Sequence, residues 1–157
     1  MSMTINLSEW NTVRKKVLSW ANNGAIKALE KAGKEVAEAY KKQIKTGNNG
    51  DGSSMPLVTE HTMKAPIRHG SDPAIRGKVR SSRSPLYARG RAIDSIKSKR
   101  RDNVVEIGPS TSHGELIFSY NATKAKTKRD PLIVSDAQAD IVKKYIEDGL
   151  DKIIKGL

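Results

Sequence analysis

The pair Asp102-Asn103 constrains this chain more than any other feature. Both side chains tolerate left-handed backbone and can bond their own main chain, which makes the pair a turn former. Ile93 and Ile96, with the charged run Lys97 to Arg101, precede it, and Val104-Val105-Glu106-Ile107 follow it. Segments of this kind on either side of such a pair predict a β-hairpin. Gly108-Pro109 ends the second strand, because Pro cannot donate to a ladder. Leu116-Ile117-Phe118-Ser119-Tyr120 is rich in β-formers and reads as a third strand. The stretch from about 90 to 121 is the only part of the chain with sheet character. The expected fold is therefore α+β: a small antiparallel sheet of three to four strands, packed by N-terminal helices and a C-terminal amphipathic helix, with a long basic loop.

The N-terminal helices are expected over about 8–46. Ser8 serves as N-cap, with Glu9 favourable in the first turn. Trp10, Val13, Val17 and Trp20 follow at helical spacing. Both tryptophans read as core or subunit interface, since such a stripe usually means packing. Asn22-Asn23-Gly24 offers a C-cap or a kink. A second helix then carries the stripe Ile26, Leu29, Gly33, Val36, Tyr40 and Ile44, in which Gly33 leaves room for close approach to the sheet. Thr46-Gly47 ends it. After the sheet, Ser135 and Gln138 form a capping box with Asp136 in the first turn. They open a helix over about 135–156, marked by Ile141, Tyr145, Ile146, Leu150, Ile153 and Ile154 and expected to pack across the sheet.

With 157 residues and 36% hydrophobic content, the chain suits one domain with a modest core. It has no Cys, so neither a disulfide framework nor thiolate chemistry is available. No apolar run is long enough to span a bilayer, and Met1 to Ser8 lacks the layout of a signal peptide. A soluble protein kept or assembled in the cytoplasm is expected.

Charge is unevenly placed. Residues 41–101 hold 15 of the 29 Lys and Arg but 4 of the 17 acids, which accounts for +11 of the net +12. Such a field favours polyanions, usually nucleic acid, or an acidic protein surface. A solvated, partly disordered loop is the plainer reading, and both stay open. Within this segment, about 47–89 is rich in Gly, Pro, Ser and Arg and has no period. Loops this long are functional or disordered, so the expectation is an excursion that orders only against a partner. Lys64, Arg68, Arg76, Lys78, Arg80, Arg83, Arg89 and Arg91 are the candidate contacts to a partner or to DNA.

Nothing in the sequence reads as a catalytic, cofactor or metal site. Gly47-Asn48-Asn49-Gly50-Asp51-Gly52 lacks the Gly-Lys-Ser/Thr of a phosphate loop and the spaced acids of a calcium loop. His61, His69 and His113 are scattered, without the convergent ligands or activating base that such sites need. The acids of the basic segment, Asp51, Glu60, Asp72 and Asp94, are too widely spaced to suggest a metal-dependent nuclease.

Three local matches carry a resemblance. Gly90-Arg91-Ala92-Ile93-Asp94-Ser95-Ile96 is similar to a Gly-x-Leu-x-x-Ser-Ile segment, with the aliphatic residue displaced by one. Val104-Val105-Glu106-Ile107-Gly108 is similar to a Val-x-Val-Gly strand. Arg129-Asp130-Pro131-Leu132-Ile133-Val134-Ser135-Asp136 resembles Arg-x-Phe-Leu-Gly-Leu-Ser, with Pro131 in place of the aromatic. Together they resemble the bacteriophage neck and tail-completion proteins, the group that includes the lambdoid tail-component and Mu-like virion-morphogenesis families. The Tyr-Ala and Phe-Gly-Thr wording of that group is replaced here by Phe118-Ser119-Tyr120-Asn121. The resemblance implies a non-enzymatic virion protein of the head–tail junction (neck, tail completion or tail terminator), assembled in the host cytoplasm. It also implies a homo-oligomeric ring, often sixfold, between portal and tail tube around the DNA channel, with no cofactor and no membrane. The alternative is a sequence-tolerant, basic nucleic-acid-binding module. Against that alternative, Tyr87 is the one aromatic residue interleaved with the basic run, so base stacking has little to work with.

Overall fold

A computed structural model describes residues 7–67, 76–80, 91–123 and 132–155. The chain is α+β. Helix α1 (Leu7–Ser19) passes through a π-helical turn (Trp20–Gly24) into α2 (Ala25–Thr46). Short helices α3 (Glu60–Lys64) and α4 (Arg91–Asp94) follow. Strands β1 (Ile96–Arg101) and β2 (Val104–Pro109) come next, then α5 (Ser112–Thr123) and α6 (Asp136–Lys155).

The hairpin lies where the turn pair places it. β1 and β2 pair antiparallel from Ile96 opposite Pro109 to Arg101 opposite Val104. Asp102 takes φ +51°, the left-handed conformation its short polar side chain tolerates. Side chains alternate across the ribbon. Ile96, Ser98 and Arg100 face α2, and Lys97, Lys99 and Arg101 face away and are exposed.

Helix α2 is the spine. Its stripe Val36, Tyr40 and Ile44 is buried with Met55, Ile93, Ile96 and Phe118. Ile44, Ile93 and Ile96 are fully enclosed, each contributing about 1.5–3 kcal/mol of burial. Gly33 is buried where the hairpin crosses. A Cβ there would stand 2.5 Å from Ser98 Oγ and 2.7 Å from Val105 Cγ1, so only glycine lets the ribbon come this close. The helix ends in a Schellman motif. Gly47, at φ +87°, donates its N–H to the Ile44 carbonyl, and Asn48 donates to the Gln43 carbonyl at 2.9 Å.

Several expectations are corrected. Leu116–Tyr120 is not a third strand but part of α5. Thr111 caps this helix: its Oγ1 accepts from the Gly114 N–H at 3.1 Å, and its carbonyl from the Glu115 N–H at 3.0 Å. Gly114 and Phe118 are buried, Ile117 and Asn121 half-buried, and Leu116 and Tyr120 exposed, which is a helical and not an alternating pattern. The described residues hold a two-stranded sheet confined to 96–109, and Arg91–Asp94 before it is one helical turn.

Helix α6 does not lie across the sheet. Its main contact is with α2, which also carries the hairpin. Ser8 is the second residue of α1 as described. Asn22-Asn23-Gly24 is no C-cap, because helical backbone continues and Ala25 N–H bonds the Trp20 carbonyl, five residues back.

The segment after α2 is not a bare excursion either. Asn49 and Ser53 are joined by backbone and side-chain bonds, Met55 is buried in the core, and Thr59 caps α3 through the Thr62 N–H. No helix among the described residues is long and apolar enough to cross a membrane.

Candidate functional site

The expected basic contacts fall on different segments of the described chain. Lys64 is exposed at the end of α3. Arg76 and Lys78 are exposed on a return stretch that is tied to Ile67: Ile67 N–H donates to the Lys78 carbonyl at 2.9 Å, and Gly77 N–H to the Ile67 carbonyl at 3.0 Å. Arg80 is half-buried, and burial pushes its guanidinium below the ordinary value. Arg91 is exposed at the start of α4, which packs beside α5. Arg68, Arg83 and Arg89 lie outside the described residues.

A basic face not anticipated as a site lies on the hairpin. Lys97, Lys99 and Arg101 project from one side of β1, and the single carboxylate opposite them is Glu106. Arg101 Nε meets Glu106 Oε2 at 3.0 Å. Arg100 points the other way, toward α2, where it reaches Glu30 Oε1 at 3.8 Å. The alternation of strand residues was the available signal for this face.

A second basic feature sits at the π turn, where the sequence had assigned no role. Lys15 and Lys16 of α1, Lys27 and Lys31 of α2 and Lys152 of α6 surround Trp20, lining hollows of about 590 and 190 Å3. No local motif could have flagged it, because Lys152 is brought in only by the docking of α6.

Exposed large apolar side chains are spread over the described residues, Val104 on β2, Val134 before α6 and Ile154 on α6 among them, and α1 and α5 each carry more than one. On α1, Trp10, Val17 and Leu18 are exposed and Val13 is half-buried, so the helix stands largely off the body. On α5, Leu116 and Tyr120 are 59% and 54% exposed, one turn apart on one face. Helix α1 joins the N-terminal end of α2. Helix α5 packs beside α4, which meets the other end through Lys45 Nζ and Asp94 Oδ1 at 3.3 Å. Twenty-two residues of helix put these ends roughly 33 Å apart. A further apolar groove of about 280 Å3 lies between α2, β2 and α6, lined by Val36, Tyr40, Val105, Ile107, Leu132 and Val142 among others.

Potential reactive groups are dispersed. Asp51 accepts from Ser53 Oγ and Ser53 N–H, which hold its carboxyl below the usual range. Asp94 pairs with Lys45, and Glu60 is exposed in the first turn of α3. Among the described residues no three His, Asp or Glu side chains gather as a metal-holding group.

Comparison with family models finds no match, and neither do comparisons with characterised proteins or with solved structures.

Proposed function

We propose that this chain is a non-enzymatic structural subunit of a bacteriophage head–tail junction, forming a ring with copies of itself between portal and tail around the DNA channel. The motif resemblance suggests the setting. The observation that carries the assembly is the pair of exposed apolar patches, Trp10 with Val17 and Leu18 on α1, and Leu116 with Tyr120 on α5. Exposed apolar side chains grouped on one helix can form an interaction surface. Two different patches at opposite ends of one spine suit a heterologous contact, in which one subunit's first patch meets its neighbour's second, and such contacts form rings where the rotation between subunits closes.

The hairpin adds to this reading. Its outer edges pair with no other described strand, and an open edge is a template for strand addition. In a ring, the sheet gains its third and fourth strands from neighbours. The basic loop and the Lys97, Lys99 and Arg101 face then meet either an acidic adjacent ring or the DNA in the channel.

Light scattering behind size-exclusion chromatography, at low and high salt and with negative-stain images of the peak, tests the proposal. A closed, ring-sized oligomer of fixed subunit number is the expected result. A chain that stays monomeric at every concentration, and also fails to join purified portal or tail particles, sinks it. The Lys97–Arg101 face favours one second reading, a sequence-tolerant nucleic-acid-binding module. A monomer that binds duplex DNA tightly at physiological salt would point there.

A further inference from the structure

We infer that the lysine-lined cleft at the π turn is a binding site for the phosphodiester backbone of nucleic acid. The site stands apart from the assembly reading: a monomer could carry it, and a ring could lack it.

The cleft is built along one continuous helical face. Lys16, Trp20, Gly24, Lys27 and Lys31 recur at spacings of four, four, three and four, which keeps them on one side of the rod. The sixteen helical steps from Lys15 to Lys31 extend roughly 24 Å at about 1.5 Å each. Lys152 of α6 closes the opposite wall. Five ammonium groups therefore line a straight trough, against Asp148 as the one carboxylate among the lining residues. Of the acids of α2, Glu30 reaches Arg100 at 3.8 Å, while Glu35 accepts at 2.7 Å from the hydroxyl of Tyr145, itself a lining residue. Lys15, Lys27, Lys31 and Lys152 enter none of the ion pairs formed among the described residues.

Trp20 holds this geometry. Its indole lies against Gly24 on its own helix and against Gly149 of α6, where a Cβ would stand 2.8 Å from Nε1. The π turn places the ring there, and π turns recur at functional sites. Five ammonium groups around one lining carboxylate repel one another, and a polyanion offsets that repulsion. Lysines act as point charges without the fork geometry of arginine. The ligand they suit is a regularly charged, linear polyanion read without regard to base sequence.

The test uses the full chain and a fluorescein-labelled, mixed-sequence DNA duplex, with binding followed by anisotropy across a salt series. The comparison is a variant carrying Lys15→Gln, Lys27→Gln, Lys31→Gln and Lys152→Gln. All four positions are at the surface, and circular dichroism verifies its fold. The slope of log affinity against log salt should become shallower by roughly 0.9 for each phosphate no longer neutralised, with affinity at about 50 mM salt down tenfold or more. In a Trp10→Phe background, Trp20 fluorescence should change on adding DNA to the lysine-intact chain. An unchanged slope, or binding abolished instead in Lys97→Gln with Lys99→Gln, overturns the site. Displacement of the duplex by poly-glutamate at equal charge concentration would assign the cleft to acidic protein and also overturn the inference. None of these outcomes depends on whether the chain forms rings.

Discussion

Gln138, at the head of α6, donates its side-chain Nε2–H to the Gly50 carbonyl at 2.7 Å, and both residues are buried. The same side chain accepts from the Ser135 backbone N–H at 2.9 Å, the reciprocal half of the capping box. One glutamine thus caps the C-terminal helix and satisfies a loop carbonyl that water cannot reach. Gln138→Leu removes both bonds and leaves the Gly50 carbonyl unsatisfied, a cost of about 1–3 kcal/mol. The urea midpoint should fall accordingly. A midpoint within error of the parent would show that the loop finds another donor.

Gly33→Ala sets two effects against each other. Alanine improves helix propensity by about 1 kcal/mol. Its Cβ meets Ser98 Oγ and Val105 Cγ1 inside van der Waals distance, and overpacking costs about 1–3 kcal/mol. The clash should win, lowering stability by about 1 kcal/mol. Val105→Ala in the same chain should recover part of the loss relative to the sum of the two single variants. Strictly additive effects in the double-mutant cycle would place the ribbon farther from α2.

What could be read from the residues was local chemistry at turns and caps. Asp102-Asn103, Thr46-Gly47 and Gly33 in its stripe each act within a few positions and are in their expected roles, and Gln138 supplies its half of the expected box with Ser135, whose hydroxyl bonds the Gln138 side chain instead of the backbone N–H. Leu116–Tyr120 misled because β propensity was weighed without the Thr111 cap or the spacing of Gly114, Ile117, Phe118 and Asn121, which is helical. The return of Met55 to the core and the meeting of Lys15 with Lys152 depend on tertiary docking, to which no sequence window is sensitive. Of the basic residues expected as contacts, Lys64, Arg76, Lys78 and Arg91 are exposed. The hairpin's Lys97, Lys99 and Arg101 form a clearer face.

Asp51 should contribute to the acid limb of stability. Ser53 Oγ and N–H both donate to its carboxylate and lower its value relative to the unfolded chain. A depressed carboxylate contributes stability above its unfolded value and loses it as pH falls through the folded one. Parent and Asp51→Asn chains should therefore differ most near neutrality, with the gap closing as pH drops below the ordinary carboxylate range. Denaturation midpoints at pH steps give the comparison, and a gap that widens toward acid would contradict the assignment.

The two apolar patches give the sharpest test of assembly. Leu116 and Tyr120 are more than half exposed, so Leu116→Ser with Tyr120→Ser removes little folded-state packing. Away from buried features such changes stay within about 0.5 kcal/mol for each substitution, and the thermal midpoint should barely move. Trp10→Ser on α1 should behave the same way, since Trp10 is 58% exposed. Either variant should abolish ring formation in light scattering, because a heterologous contact needs both of its halves. Mixing the two variants restores one intact contact per pair and can form dimers, but it cannot propagate around a ring. Dimers from the mixture, with monomers from each variant alone, are the expected signature. Full rings from either variant alone would remove α1 and α5 from the interface.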